Sequence, residues 1–506
     1  MNQPDIILSK KNESYLYIEA ERSILEELSN HFTFMIPNAK FNPKVRMRIW
    51  DGKIRLLRVF KTTTGTMCAG ELYYGLKEEL ENFAKSRHFT SMFTGTSEKS
   101  KPVFSEKYAE QLFESLKISS SGKSIVSKDY QNRALAHALN VERGIILSPT
   151  SSGKSLIIYG LLRYYLANDI NKILIVVPTK GLVEQLYSDF EDYSKNNGFS
   201  VEKYCHKIYS GKEKNTKKKI VITTWQSAIL QDPEWFEDFS VIIGDEAHQF
   251  NAKSLTKIMT SLVNARYRFG TTGTLSDSKI DSLVLQGLFG SIFKVTTTSE
   301  LMKNKDISNL NIKCLLLKYP EETCKLLKNS TYQEEIDFLI GNKKRNEFIA
   351  NLAISCKGNT LILFSRVENH GKLIYDAINS KITKNRKIFF IHGGSKIEDR
   401  ESVRSIVEKE KDAIIVASKG VFSVGINIRN LHNLISASPS KSKILILQGI
   451  GRSLRRSETK TEASFYDIAD DLKYKNKKNY TLQHFISRLG IYIEEKFDYK
   501  IIKIPF

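Results

Sequence analysis

The chain lacks any long uncharged apolar segment, since no window of its 506 residues approaches the ~18 apolar residues that span a bilayer. Residues 1–5 show no signal-peptide pattern. Cysteine is scarce: the five thiols are scattered, odd in number and without a Cys-x-x-Cys pair. We therefore expect a soluble, cytoplasmic protein without a disulfide framework or a structural zinc site.

Acidic residues are outnumbered, with 56 Asp and Glu against 77 Lys and Arg, which gives a formal net charge of +21. This excess implies a persistent attraction to a polyanion, for which nucleic acid is the leading candidate. A merely soluble lysine-rich chain is the alternative, and charge alone does not exclude it. The length indicates about three domains.

Residues 144–155, GIILSPTSSGKS, join a short apolar run, a loop of small residues and the start of a helical pattern. Strand, loop and helix in this order form a phosphate-binding loop, in which backbone amides and a helix N-terminus face an anion. Lys154 would reach the β and γ phosphates, Ser155 would hold Mg²⁺, and Gly153 would let the backbone approach closely. Ser148 replaces the usual first glycine. A second Gly-Lys-Ser, residues 122–124, lies in a serine-rich stretch that we interpret as a flexible linker.

Three further apolar runs end in polar residues and alternate with helical patterns, at residues 172–178, 220–226 and 240–248. This alternation predicts a doubly wound parallel α/β sheet with ligand groups at the carboxyl ends of its strands. The last run ends in Asp245 and Glu246. Asp245 suits Mg²⁺ binding, and Glu246 suits activation of a water for phosphoryl transfer.

Residues 41–58 alternate apolar and basic residues on both sides of Asp51-Gly52, a pattern that predicts a β-hairpin with a basic face. The basic side chains that we expect to bind nucleic acid are Lys44, Arg46, Arg48, Lys53 and Arg55. A solvated strand face is the alternative.

Several segments together resemble the core motifs of superfamily 2 helicases and translocases. They are residues 148–155, 245–248, 270–274, 361–366, 391–394, 416–427 and 448–455. The resemblance covers about residues 128–470. Smaller features, such as Phe41-Asn42-Pro43 and the terminal Pro505-Phe506, extend it to a phage recombination and branch-migration DNA helicase within this superfamily.

The resemblance implies an α/β fold of two RecA-like doubly wound lobes with a small N-terminal α+β module and a short C-terminal element. The expected domains are residues 1–118 for the module, 119–300 and 301–472 for the lobes, and 473–506 for the element. A strand that returns onto the second lobe is the alternative for the last segment.

The site residues that the resemblance implies fall into four groups. The catalytic candidates are Lys154, Asp245, Glu246, Gln448, Arg452 and Arg455. The ATP-binding candidates are Gln131, Thr150, Ser151, Ser152, Gly153, Lys154, Ser155 and Gly425, and the Mg²⁺ ligands are Ser155 and Asp245. The implied strand-binding residues of the lobes are Thr179, Lys180, Thr224, Gln226, Arg366, His392 and Ser418, whereas Trp225 is expected to pack in the core.

The expected function is that of an ATP-dependent DNA helicase that remodels replication forks, Holliday junctions and R-loops. Its cofactors would be ATP and Mg²⁺, and its partner would be branched DNA, with RNA–DNA hybrids as a further substrate. A monomeric motor in the cytoplasm, that of the host cell for a phage protein, is expected. The alternatives are an RNA helicase and an ATP-gated nucleic-acid clamp that does not translocate.

We predict that Arg455→Ala retains ATP and DNA binding but loses turnover. An arginine that stabilises the transition state of phosphoryl transfer contributes ~10³-fold or more to the rate. Arg455→Lys should not restore the rate, because an ammonium lacks the planar guanidinium fork. DNA-stimulated hydrolysis of ATP is the measurement, and a normal rate for Arg455→Ala would move the role to Arg452.

Overall fold

A computed structural model describes the chain in two compact units, one of residues 1–148 with 153–295 and one of residues 296–506 with 149–152. The described residues are 4–36, 39–60, 67–95, 103–170, 172–210, 213, 216–250, 252–275, 278–382, 386–424, 428, 430–438, 447, 449–451, 454 and 462–506. In these residues, none of the helices is both long enough and apolar enough to cross a membrane.

The N-terminal module, residues 4–95, is built on a sheet with strand order β5-β6-β2-β1-β7. Its strands are β1 Ile6–Lys10, β2 Tyr15–Glu21, β3 Thr33–Met35, β4 Lys53–Arg55, β5 Arg58–Phe60, β6 Met67–Tyr73 and β7 Ser91–Phe93. Its helices are α1 Arg22–His31, α2 Pro43–Arg46 and α3 Lys77–Ser86. Strand β2 buries Leu16, Ile18 and Ala20 at alternate positions, as expected for a sheet with one face on a core.

The predicted β-hairpin of residues 41–58 is wrong. Strand β4 pairs antiparallel with β3, and the residues that were expected to form the first hairpin strand include helix α2. Asn42 caps this helix by accepting a hydrogen bond from the Lys44 amide at 3.0 Å, and Pro43 occupies the first helical position. Pro43 fixes a helical φ, so the local start signal overrides the alternating pattern. We call residues 39–52 the β3–β4 loop.

Two arginines attach the N-terminal module to the first lobe, residues 103–148 and 153–295; Arg268 is buried and the Arg143 side chain is 10% exposed. Arg143 forms an ion pair with Glu13 at 2.9 Å and lies 4.2 Å from the Tyr74 ring centre. Arg268 is fully buried and donates to Ser14 Oγ at 3.1 Å and to the carbonyls of Ala265 and Met259. Burial lowers the pKa of Arg268 to about 9. Because leaving these groups unpaired in the interior would be costly, the module and the lobe are held as one unit.

The first lobe contains a sheet of parallel strands in the order β12-β13-β11-β14-β15-β10-β16. Its strands are β8 Ser119–Ser120, β9 Lys123–Ser124, β10 Arg143–Leu147, β11 Ile173–Val177, β12 Cys205–Ile208, β13 Ile220–Thr224, β14 Val241–Asp245, β15 Tyr267–Thr272 and β16 Ile292–Lys294. Its helices are α4 Glu106–Ser115, α5 Asp129–Asn140, α6 Lys154–Ala167, α7 Lys180–Ser194, α8 Val201–Tyr204, α9 Trp225–Ala228, α10 Ala252–Ser261 and α11 Lys279–Phe289. Strands β8 and β9 pair around Ser121-Gly122, so the linker expected there is a short hairpin.

The second lobe repeats the parallel architecture with the strand order β19-β20-β18-β21-β22-β17-β23. Its strands are β17 Asn309–Lys318, β18 Thr360–Phe364, β19 Ile388–Ile391, β20 Ile414–Ser418, β21 Asn433–Ser436, β22 Glu462–Asp471 and β23 Tyr499–Pro505. Its helices are α12 Thr298–Lys303, α13 Glu321–Leu327, α14 Tyr332–Gly341, α15 Lys343–Ser355, α16 Leu373–Asn379, α17 Ile397–Lys409, α18 Lys419–Val424 and α19 Tyr480–Glu494. The predicted α/β fold with two doubly wound sheets and an N-terminal α+β module is confirmed.

The C-terminal segment completes the second lobe. Strand β23 pairs in parallel with β17 at the edge of the sheet, which confirms the alternative of a returning strand. Glu335 accepts hydrogen bonds from the backbone amides of Tyr480 and Thr481 at the start of α19, at 2.9 and 2.8 Å. A carboxylate at this position satisfies amides that have no partner within the helix, so it fixes where α19 begins.

We predict that Arg345→Met destabilises the second lobe by about 3–5 kcal/mol, because it leaves the charge of Asp470 buried without its partner. Both side chains are fully buried, and the guanidinium contacts both carboxylate oxygens at 2.8 and 3.0 Å. Urea unfolding is the measurement. The control Arg404→Met removes a partly exposed arginine from α17. Equal unfolding midpoints for the two variants would show that the buried pair does not hold the lobe together.

Candidate active site and nucleic-acid interface

The phosphate loop follows β10 and leads directly into α6. At its start the Ser148 amide donates to the Thr272 carbonyl at 2.9 Å, which fixes the loop to the end of β15. Gly153 precedes α6 with φ of 81°, in the left-handed region. A Cβ at this position would lie 2.4 Å from Gln131 Nε2. Both the backbone conformation and the lack of space therefore require glycine.

Lys154 lies at the first position of α6, between the loop and the acidic pair. Its Nζ donates to the Ser148 carbonyl at 3.3 Å and lies 3.6 Å from Glu246 Oε1. The exposed fractions of the two side chains are 10% and 16%, so solvent screens the pair only partly. The next residue, Ser155, shares a 2.9 Å hydrogen bond with the Tyr193 hydroxyl. A cation, a hydroxyl and a carboxylate thus surround the mouth of the loop.

Asp245 ends β14, next to Thr271 on the neighbouring strand β15. Thr271 Oγ1 donates to Asp245 Oδ1 at 2.5 Å, and the Glu246 amide donates to the same oxygen at 3.0 Å. Burial and the adjacent Glu246 raise the pKa of Asp245 to about 6, against the opposing effects of Lys154 and the Thr271 hydroxyl. Glu246 itself has a left-handed backbone with φ of 51°. Such a conformation is uncommon for a residue with a side chain and is typical of functional sites.

His248 connects the acidic pair to the strand that carries Thr271. Its Nδ1 lies 2.6 Å from Thr272 Oγ1 and 3.5 Å from Glu246 Oε2. Burial lowers the pKa of His248, so the neutral imidazole is favoured. Sequence reasoning placed residues 245–248 and 270–274 in motifs but gave Thr271, Thr272 and His248 no role. Their presence in those motifs was the available signal, whereas nothing in the sequence pointed to Tyr193.

The remaining nucleotide-binding candidates are Gln131 in α5 and three residues of the loop. Gln131 is buried, and its Oε1 accepts a hydrogen bond from the Lys128 amide at 3.0 Å in the first turn of α5. The side chain lies against Gly153, but its role toward adenine stays a prediction. Ser152 Oγ donates to the Pro149 carbonyl at 2.7 Å, and Ser151 has a left-handed φ of 72°. Thr150 lies in the same loop, and binding of the nucleotide by these three residues stays a prediction.

Four predicted site residues lie outside the part of the chain that the structure describes. They are Gly425, Gln448, Arg452 and Arg455.

Four predicted strand-binding residues of the first lobe lie together, because β11 and β13 are neighbours and their ends coincide. Thr179 and Thr224 cap helices α7 and α9 with their hydroxyls. Gln226 Nε2 donates to the Pro178 carbonyl at 3.3 Å, which connects the two strand ends. Lys180 Nζ lies 4.8 Å from the Tyr209 ring centre. The ring of Trp225 packs against the core of this lobe, as predicted.

The three candidates of the second lobe also share one edge. Arg366, His392 and Ser418 lie at or just after the carboxyl ends of β18, β19 and β20, which are neighbours in the sheet. Arg366 Nη1 contacts Asp337 Oδ1 at 2.5 Å, and His392 Nδ1 accepts the Gly394 amide at 3.2 Å. A nucleic-acid phosphate at Arg366 would therefore compete with Asp337.

The five basic candidates of the N-terminal module do not lie on one hairpin face. Lys44 and Arg46 belong to α2, Arg48 lies in the β3–β4 loop with φ of 56°, and Lys53 and Arg55 belong to β4. All five are exposed. Arg55 forms an ion pair with Asp51 at 2.5 Å, so its charge is partly neutralised.

Comparison with known proteins identifies the family. The ATP-dependent DNA helicase uvsW of Enterobacteria phage T4 is 37% identical to this chain over 503 residues, which is 96% of this chain and 97% of that protein. The chain belongs to the UvsW family of superfamily 2 helicases. Accordingly it is an enzyme that uses ATP to unwind nucleic acid, and the predicted family and helicase activity are confirmed.

Family models and a crystal structure agree with UvsW family membership. The model described as DNA helicase UvsW, N-terminal, matches residues 5–94, that of the type III restriction enzyme res subunit matches 124–277, and the helicase conserved C-terminal domain matches 343–457. The crystal structure of T4 UvsW is 36% identical, covers 99% of both chains and has a TM-score of 0.51. The probable helicase D10 of Escherichia phage T5 is 24% identical over 52% of this chain and 55% of its own length.

We predict that Lys154→Ala and Glu246→Gln both abolish unwinding, by different routes. The first removes a phosphate contact and weakens nucleotide binding, whereas the second keeps ATP bound and stalls its hydrolysis. Trapping of labelled ATP distinguishes them. Lys180→Ala, on α7 of the same lobe, is the control, since its ATP binding should be normal. Near-normal strand separation by either test variant would exclude this cluster as the site of hydrolysis.

Proposed function

We propose that this helicase acts on DNA and remodels branched molecules such as forks, Holliday junctions and R-loops during recombination, replication and repair. The relative from phage T4 is named a DNA helicase, which supports DNA as the substrate. In this proposal the enzyme works as a monomer in the cytoplasm of a host cell, and an RNA–DNA hybrid is a further substrate.

The observation that carries the proposal is that the N-terminal module, which is distant in sequence from the phosphate loop, holds a set of exposed cations and is itself held on the first lobe. The ion pair of Arg143 with Glu13 and the hydrogen bond of Arg268 to Ser14 fix the N-terminal module to the first lobe. If the first lobe binds one strand at Thr179 and Gln226, the module therefore stays in a constant position relative to that binding site. A second DNA segment bound by the module would then be displaced relative to the first as the motor steps.

The residues around the loop fit Mg²⁺ as the cation that accompanies ATP. Within the described chain, both hydrogen bonds to Asp245 reach Oδ1, so Oδ2 is the oxygen that we assign to the cation. The Ser155 hydroxyl would supply a second oxygen. Carboxylate and hydroxyl oxygens are the hard ligands that Mg²⁺ prefers. The bound cation would neutralise charge on the β and γ phosphates, while Lys154 would orient the γ phosphate.

ATPase activity with duplex, single-stranded, forked and four-way DNA and with RNA, measured side by side, tests the proposed substrate. We expect forked and four-way DNA to give the greatest stimulation at subsaturating concentration, because they engage both the module and the motor. Preferential stimulation by single-stranded RNA would overturn DNA as the substrate. Equal stimulation by every DNA would remove the preference for branches.

We predict that the variant Arg46→Ala/Arg48→Ala/Lys53→Ala weakens fork binding more than it weakens ATPase activity at saturating single-stranded DNA. Each lost phosphate contact should reduce the slope of log affinity against log salt by about 0.9. Fork affinity is measured across a range of salt concentrations. The control variant Arg22→Ala/Lys85→Ala removes exposed cations from α1 and α3 of the same module.

An unchanged fork affinity and salt slope in the test variant would show that these cations are solvated by water and do not contact DNA. Equal loss of fork binding and of saturated ATPase activity would instead mean that the loop supports folding of the motor.

A further inference from the structure

The β3–β4 loop exposes large apolar side chains among its cations. The exposed fractions of Phe41, Met47 and Ile49 are 68%, 69% and 71%. Single exposed apolar residues are ordinary, but three within nine positions of one loop form a concentrated apolar surface. The predicted hairpin and the phosphate contacts assigned to its cations give these side chains no role.

The exposed apolar side chains belong to a loop whose backbone is held by hydrogen bonds. The Ile49 amide donates to the Lys44 carbonyl at 2.9 Å, and the Ile36 amide donates to the Gly52 carbonyl at 2.9 Å. Trp50 Nε1 donates to the Lys53 carbonyl at 3.0 Å. Gly52 is enclosed, because an added Cβ would lie 2.8 Å from Ala39 Cβ. These contacts hold the backbone that carries the three apolar side chains, so less backbone entropy is lost when they bind.

The charge around these side chains indicates what covers them. Residues 40–53 contain five basic residues and one acid, Asp51. Three of the five are lysines, and lysine is depleted at protein–protein interfaces, so the lysine content argues against a protein partner. A polyanion with apolar faces complements both features: its phosphates match the cations, and its bases match the apolar side chains.

We propose that Phe41, Met47 and Ile49 form a base-contacting wedge at the junction of a branched DNA. The apolar side chains stack against the last base pair of the duplex arm, or between separating bases, while Lys44, Arg46 and Arg48 hold the flanking phosphates. The wedge converts movement of the strand by the motor into opening of the duplex. This proposal rests on the proposed action on branched DNA and identifies the part of the protein that contacts the bases.

The position of the loop in the chain supports this role. Strands β3 and β4, which flank the loop in the sequence, pair with each other, and their residues Phe34 and Ile54 pack against the core of the N-terminal module. That module is fixed to the first lobe by buried contacts of Arg143 and Arg268. A wedge must resist the force of the moving strand, and an ordered loop anchored to a core meets this requirement.

The test variant is Phe41→Ala/Met47→Ala/Ile49→Ala in the full chain. The control variant is Val103→Ala/Val126→Ala/Leu326→Ala, which removes comparably exposed apolar side chains from other parts of the described chain. Thermal unfolding of both verifies the fold, since truncation of exposed side chains should leave the midpoint unchanged. Four quantities are measured for each variant: fork affinity against salt, single-strand affinity, ATPase activity with saturating single strands, and base pairs opened per ATP.

Loss of base stacking should weaken fork binding roughly tenfold in the test variant, given the usual contribution of aromatic contacts to bases. The salt slope should stay that of the parent, because no phosphate contact is removed. Saturated ATPase activity should also stay unchanged, and fewer base pairs should open per ATP. A 4-thiothymidine placed at the junction should cross-link to the β3–β4 loop of the parent, and one placed deep in the duplex arm should not.

Parental fork affinity and parental opening per ATP in the test variant would overturn the wedge, and would assign the apolar surface to some other partner. Equal weakening of fork and single-strand binding would also overturn it, because the contact would then not be specific to a junction. These outcomes differ from failure of the proposed function. In that case the parent itself would show no preference for branched DNA, and cross-linking from the junction would still report whether the loop touches bases.

Discussion

The contact between the Lys154 ammonium and the Glu246 carboxylate, 3.6 Å apart, is the interaction on which the site depends. Two partly buried charges from distant parts of the sequence face each other at the mouth of the phosphate loop. Each would be costly to keep there alone. In the proposed mechanism the γ phosphate of ATP would occupy the same region, so nucleotide binding would exchange the carboxylate partner of Lys154 for a phosphate. Glu246 would then be available to act on water.

The parallel sheet of the first lobe brings these charges together. Strand β15 lies between β10 and β14, so the strand that leads to the phosphate loop and the strand that ends in the acidic pair share one neighbour. Its hydroxyls contact the acidic side, since Thr271 donates to Asp245 and Thr272 lies 2.6 Å from His248. Its backbone contacts the loop, because the Thr272 carbonyl accepts a hydrogen bond from the Ser148 amide at 2.9 Å. A shift of β15 would therefore move the acids and the start of the loop together. Residues 270–274 thus connect the start of the phosphate loop to the acidic pair.

The phosphate loop and the acidic pair were predictable because their chemistry requires particular residues at short spacing. The distant partner in the site was not, since Tyr193 reaches Ser155 across 38 residues. Neither was the buried pair of the second lobe, in which Arg345 reaches Asp470 across 125 residues. The hairpin failed for a local reason: Asn42 and Pro43 start a helix where basic and apolar residues alternate. Alternation of apolar and basic residues predicts a strand, but it does not override the helix start signal of a capping residue followed by proline. The returning strand β23 was recognisable, but only its pairing with β17 established its place.

The central claim is that hydrolysis at this site drives the opening of DNA, rather than ATP binding alone. The most direct measurement is strand separation of a forked duplex by the parent protein, with ATP and with a non-hydrolysable analogue, while phosphate release is followed in the same reaction. The account predicts separation only with ATP, in proportion to the phosphate released, although the analogue binds. Equal separation with the analogue would contradict it, and would make the protein an ATP-gated clamp.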